Sequence, residues 1–191
     1  MTSRPIATGR TAAGLPSARL VVWWVVASEI FIFGGLLSSY VMHRIGHPEW
    51  AFQAAHTNTW AGAFNTFVLL TSSLFAVLGH KAADSGDGPR AARLLRLTAL
   101  GGLTFLCVKA FEWSHEIREG FVLSTGGFWS FYYTAAGLHA AHVLVGMLIL
   151  LVVAADAARN QELQRVECIG IYWHFVDIVW IFLFPLLYIA R

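Results

Sequence analysis

The chain has 191 residues, of which 57% are hydrophobic and 13% charged, and its formal net charge is +2. A water-soluble domain carries about a quarter charged residues, so that class is excluded. So small a net charge gives no footing for nucleic-acid binding. The two cysteines, Cys107 and Cys168, show no CxxC or Cys/His spacing. That argues against a disulfide framework and against a structural zinc site.

Charges are segregated into 1–19, 43–49, 81–96, 112–119 and 156–167, and long apolar runs fill the gaps. The segment 1–19 holds Pro, Gly, Arg4, Arg10 and Arg19 and is expected to be a flexible tail. The apolar run behind it is too long for a signal-peptide core and no small-residue cleavage site follows, so no cleavage is expected. Five spans are predicted, over 20–42, 60–80, 94–114, 128–155 and 168–189. Each has at least about 20 residues, enough to cross a ~30 Å hydrocarbon core at ~1.5 Å per residue. Spans of a β-barrel would be about half as long and would alternate in polarity. The expected fold is therefore all-α, a polytopic bundle of five transmembrane helices over 20–191.

The basic residues orient the bundle. Arg4, Arg10, Arg19, Lys81, Arg90, Arg93, Arg96, Arg159 and Arg165 fall on one side, and Arg44, Arg118 and Arg191 on the other. By the positive-inside rule the N-terminus is expected in the cytoplasm and the C-terminus outside. Trp50, Trp60, Trp113 and Trp129 then gather near the outer interface, as an aromatic belt would. The loop 83–93, ADSGDGPRAAR, reads as a turn between two spans.

Every span carries a strongly polar group: Glu29 in the first, Asn65 in the second, Lys109 and Glu112 in the third, His139 and His142 in the fourth, and His174 and Asp177 in the fifth. An unpaired charge at mid-membrane opposes insertion by about 2.5–3.5 kcal/mol. These groups are therefore expected to pair inside a compact bundle, with Lys109 neutralising Glu112 or reaching Glu29. Small residues at Gly34-Gly35, Gly101-Gly102 and Ala135-Ala136-Gly137 are expected to let the helices approach closely. Haem ligation would need histidines on facing helices at one depth, whereas His139 and His142 share a helix. A metal site from His43, His47 and His56 lacks a recognisable spacing. A proton or ion relay through Glu29, Glu112, Asp177 and the histidines is a further reading, without the interrupted helices or inverted repeat of a transporter.

Five stretches together carry a family resemblance: SEIFIFGGLLSSY (28–40), NTFVLLTSS (65–73), KAFEW (109–113), FYYTAAGLHAAHVLVG (131–146) and YWHFVDIVWIFLFPLLY (172–188). In order and spacing they resemble subunit III of the haem–copper respiratory oxidases, over about 20–190. The resemblance implies a non-catalytic integral subunit with no redox cofactor of its own, in a complex that reduces oxygen to water and moves protons. Haem and copper would belong to partner subunits. It implies packing against subunit I, with subunit II and a small subunit IV as further partners, and bound phospholipid. It also implies support for proton entry and a place in the bacterial plasma membrane. Glu29, Asn65, Lys109, Glu112, His139, His142, His174 and Asp177 would form the polar framework, with no catalytic or metal-binding residue. Larger members have seven spans, and these residues match the last five, as in bacterial short forms and quinol-oxidase versions. Lys109 stands where many members have a neutral or acidic residue, and a cation there is expected to hold Glu112 ionised. The subunit that accompanies nitric oxide reductase shares the five-span pattern and is the alternative; an independent proton-coupled transporter is the alternative from another class.

Overall fold

A computed structural model describes residues 17–190. Most of the expected tail, with Arg4 and Arg10, and the terminal Arg191 lie outside them. The elements are α1 (Ser17–Gly46), the short α2 (Trp50–Ala54), α3 (Thr59–Asp84), α4 (Gly88–Arg118), α5 (Gly127–Ala157) and α6 (Gln164–Phe184), which runs on into a π-helical turn, Pro185–Ile189. Five helices are long and apolar enough to cross a membrane: α1, α3, α4, α5, and α6 with its π turn. No strand occurs among the described residues.

The helices overrun the apolar stretches that announce them, and side-chain caps mark where α3 and α4 begin. Asn58 opens α3 by accepting the Ala61 N–H at 3.1 Å, and Asp87 opens α4 by accepting the Arg90 N–H at 3.0 Å. Each supplies a side-chain acceptor to a backbone donor that the helix itself leaves unpaired. Pro89 in the first turn of α4 has no N–H to lose there. Between α3 and α4 the chain reverses at Gly86, whose φ of +78° suits a residue without Cβ.

Long-range contacts fix the two ends of the bundle. At one end Arg19 of α1 meets Glu167 of α6 at 2.6 Å, and the Gly88 N–H donates to Asn160 Oδ1 at 2.9 Å. At the other end Tyr40 Oη donates to the Leu186 carbonyl at 3.0 Å, and Arg44 donates to the Ala190 carbonyl. Consecutive spans therefore run antiparallel. α3 to α6 pack closely on one another, and α1 lies against α5 and α6 at the periphery.

Glycine permits close approach where aromatic rings cross a helix. A Cβ on Gly102 would sit 2.7 Å from the Trp173 ring, and one on Gly146 would sit 3.1 Å from the same ring. Trp173 is thus clamped between α4 and α5, and its Nε1 donates to Ser72 Oγ of α3 at 3.0 Å. Gly102→Leu is expected to destabilise the protein by about 1–3 kcal/mol through overpacking, read as a lowered melting midpoint in detergent. The expectation for Gly34-Gly35 is corrected: a Cβ at either would meet nothing within 4 Å, because this part of peripheral α1 faces away from the other helices. Gly34→Leu should leave the midpoint of the isolated chain unchanged within about 0.5 kcal/mol.

The aromatic belt is also corrected in part. Trp60 is 88% exposed, but Trp50 and Trp129 are 4% and 1% exposed and pack inside the bundle end. Trp50 stacks on His47 and lies edge-on to Phe128, and Trp129 stacks on Phe121. Their rings pack into the core at that end of the bundle.

Candidate functional site

The largest polar cluster forms where α4, α5 and the π turn meet. Lys109, Glu112 and Glu116 recur at helical spacing and so share one face of α4. All three are at most 4% exposed. Lys109 Nζ donates to Glu112 Oε2 at 3.1 Å, Tyr132 Oη at 3.1 Å and Tyr188 Oη at 2.5 Å, which engages all three ammonium hydrogens. The rings of Trp113, Tyr132, Trp180 and Tyr188 surround it with their centroids 5.0–5.8 Å away, and their negative faces favour a cation. Tyr132 Oη lies 3.0 Å from both Glu112 Oε1 and Glu116 Oε1. Tyr133 Oη donates to the Phe121 carbonyl at 2.8 Å and lies 3.3 Å from Glu116 Oε2.

Lys109 therefore pairs with Glu112, as expected, and the alternative partner Glu29 lies elsewhere. Glu29 of α1 approaches His142 Nε2 of α5 at 3.1 Å, without the alignment of a hydrogen bond. His142 Nδ1 contacts the Leu138 carbonyl at 2.8 Å, one turn back on its own helix. This pair borders a groove of about 510 Å³ between α1, α5 and α6, walled mainly by valine and isoleucine, with Arg165 and Cys168 among its lining.

His174 and Asp177 do not bond to one another. His174 Nδ1 meets Ser73 Oγ of α3 at 2.5 Å. Asp177 is 4% exposed, and neither carboxyl oxygen makes a well-aligned hydrogen bond; Ser73 of α3 is a close polar neighbour. His139 is fully buried and likewise has no hydrogen bond at either ring nitrogen; it stacks on Trp180 and meets Phe105 edge-on, with centroids 5.2 Å away in both cases. Asn65, also fully buried, donates to the Phe105 carbonyl at 3.4 Å. The eight framework residues thus occupy separate places: a Lys109–Glu112 cluster, a Glu29–His142 pair, a Ser73–His174 bond beside Asp177, and a central layer of Asn65 and His139 around Phe105.

Among the described residues no three His, Cys, Asp or Glu side chains converge as a metal site. The histidines of the first loop have ordinary surroundings: His47 bonds exposed Glu49 at 2.7 Å, and His56 packs on Phe121. His47→Ala should change stability by no more than about 0.5 kcal/mol, measurable by thermal melting.

Sequence reading missed Glu116, Tyr132, Tyr133, Tyr188 and Ser73. Glu116 was within reach, because it continues the 109–112 face by one turn. The tyrosines carried no polar signal, since an aromatic residue in an apolar run reads as core until its hydroxyl finds a partner.

Fold and clusters define a multi-pass helical membrane protein with several polar side chains buried between its own helices. The sequence pattern of the family described as Cytochrome c oxidase subunit III matches residues 9–190, and the chain belongs to that family. It is 34% identical over 173 residues to cytochrome c oxidase subunit 3 of Corynebacterium diphtheriae, covering 87% of this chain and 84% of that one. It is 33% identical to the subunit 3 of Thermostichus vulcanus, over 85% of this chain and 82% of the relative. An Aeropyrum pernix protein called heme-copper oxidase subunit I+III is 31% identical over 90% of this chain and 22% of its own length.

Proposed function

We propose that the chain is the integral, non-catalytic third subunit of a terminal oxidase that reduces oxygen to water in aerobic electron transport coupled to proton translocation. The observation that carries this reading is the family match across 9–190, which takes in all five spans. The relatives are named as oxidase subunits, which favours this role over a nitric oxide reductase subunit or a free-standing transporter. The Aeropyrum pernix relative bears the names of subunits I and III in one chain, and that supports direct packing on subunit I. Contacts with subunit II and a small subunit IV, haem and copper in the partners, and the bacterial plasma membrane complete the proposal. The orientation follows the basic residues: the end with Lys81, Arg90 and Arg165 in the cytoplasm, the end with Arg44 and Arg118 outside.

Phospholipid is the proposed occupant of the groove between α1, α5 and α6. Its apolar walls suit acyl chains, and Arg165 offers a cation near a phosphate's level, although it already contacts Asp156 at 3.0 Å and Glu162 at 3.4 Å. Ala141→Trp, which projects a large ring into this space, should reduce the phospholipid retained by the purified complex, read by mass spectrometry of extracted lipid. Unchanged lipid content would contradict that assignment.

His174 and Asp177 are proposed as registration groups rather than proton carriers. Asp177→Leu should weaken assembly with the core complex and leave electron transfer unaltered, as judged by co-purification and by turnover per assembled complex. Normal assembly with a specific kinetic lesion would contradict it.

A further inference from the structure

We infer that Glu116 holds a proton, which makes the Lys109–Glu112–Glu116 cluster a built-in proton site rather than a fully ionised network. Three observations on different atoms lead there. The first concerns hydrogen count at Tyr133. Its one hydroxyl hydrogen goes to the Phe121 carbonyl at 2.8 Å, and a carbonyl can only accept. The contact of 3.3 Å between the Tyr133 oxygen and Glu116 Oε2 then needs a hydrogen from the carboxyl side. A protonated Glu116 supplies it; an ionised one would set two acceptors against each other.

The second observation is at Tyr132. Its single hydrogen is claimed by Glu112 Oε1 and by Glu116 Oε1, both 3.0 Å away, while its oxygen already accepts from Lys109 at 3.1 Å. Two anionic oxygens around one phenol hydrogen repel. Neutralising one of them removes the repulsion.

The third is charge balance. The cluster is enclosed by α4 (Lys109, Glu112, Glu116, Trp113), α5 (Tyr132, Tyr133) and the π turn (Tyr188), with Trp180 of α6 over the lysine. The next titratable group along α5 is His139, enclosed between Phe105 and Trp180. Lys109 is the one cation in ion-pair contact with these carboxylates among the described residues, and it contacts Glu112. Two ionised glutamates would leave one negative charge buried without a partner, which is strongly unfavourable. One proton on Glu116 leaves a neutral set: Lys109 positive, Glu112 negative, Glu116 a carboxylic acid. Glu112 keeps its ionised state, and the proton sits one turn further along the helix.

The test is infrared spectroscopy of the full-length chain in lipid, with the glutamate carboxyl carbons isotopically labelled so that Asp177 does not contribute. A labelled carboxylic-acid carbonyl band, shifted in heavy water, is expected in the wild type. It should be lost in Glu116→Gln, whose amide still donates to Tyr133, and kept in Glu119→Gln on the exposed loop. Should Glu116→Gln fail to fold, Glu29→Gln removes the half-buried glutamate beside His142 and leaves the cluster intact; the band should persist there. Identical carboxylic-acid bands in the wild type and Glu116→Gln, or no labelled band in Glu29→Gln, would overturn the inference.

Discussion

Lys109→Met is expected to lower the stability of the chain by about 3–5 kcal/mol, the range for removing one partner of a buried ion pair. The lysine is 1% exposed and is the junction of the α4–α5–π-turn cluster, holding Glu112, Tyr132 and Tyr188 at once. Without the ammonium, Glu112 either stays ionised without a cation or takes up a proton, and two tyrosine hydroxyls lose a donor. The loss should appear as a large drop in the thermal midpoint in detergent and in the yield of folded chain. Glu112→Gln alone should cost less, because a cation ringed by aromatic faces keeps favourable contacts and Glu116 can ionise to balance it. The double variant Lys109→Met, Glu112→Leu should recover much of the loss, since an apolar pair of similar volume often replaces a buried ion pair at little cost. Equal damage from Lys109→Met and the double variant would mean that packing, not charge, accounts for the effect.

Trp173→Ala should be comparably damaging, at about 3–5 kcal/mol for a fully buried large aromatic side chain. Its ring fills the space left by Gly102 on α4 and Gly146 on α5, and its Nε1 reaches Ser72 on α3. One side chain therefore ties three helices to α6. Truncation leaves a cavity bordered by Gly102 and Gly146, and Ser72 Oγ, which still donates to the Leu69 carbonyl at 2.7 Å, loses the hydrogen bond it accepts. Melting of the purified chain reads the loss. Trp173→Phe separates the contributions: it retains most of the ring and deletes the hydrogen bond, and should cost about 1 kcal/mol for that bond plus the lost ring volume.

Much of this was readable from residue type and spacing. The five spans follow from apolar runs bounded by charges, since few other arrangements accommodate runs of that length. The Lys109–Glu112 pair follows from a spacing of three on a helix. Partners across helices were not readable in the same way. His174 meets Ser73, 101 residues away, and Glu29 approaches His142 in preference to Lys109; rotation and depth of neighbouring helices decide such pairs, and local sequence does not contain them. Gly34-Gly35 and Gly101-Gly102 are the same dipeptide, yet only the second faces a crossing ring. Likewise, a tryptophan near a span end serves interface or core equally well, and tertiary packing placed Trp60 outside and Trp129 inside.

The most direct test of the proposed role is native mass spectrometry of the gently solubilised complex captured through a tag on this chain, with its visible spectrum recorded on the same sample. The expected result is co-purification with a haem-bearing oxidase subunit I, and a haem spectrum that stays with subunit I when this chain is dissociated from it. Recovery of this chain without subunit I, or haem absorbance that follows the dissociated chain, would contradict an accessory subunit of a terminal oxidase.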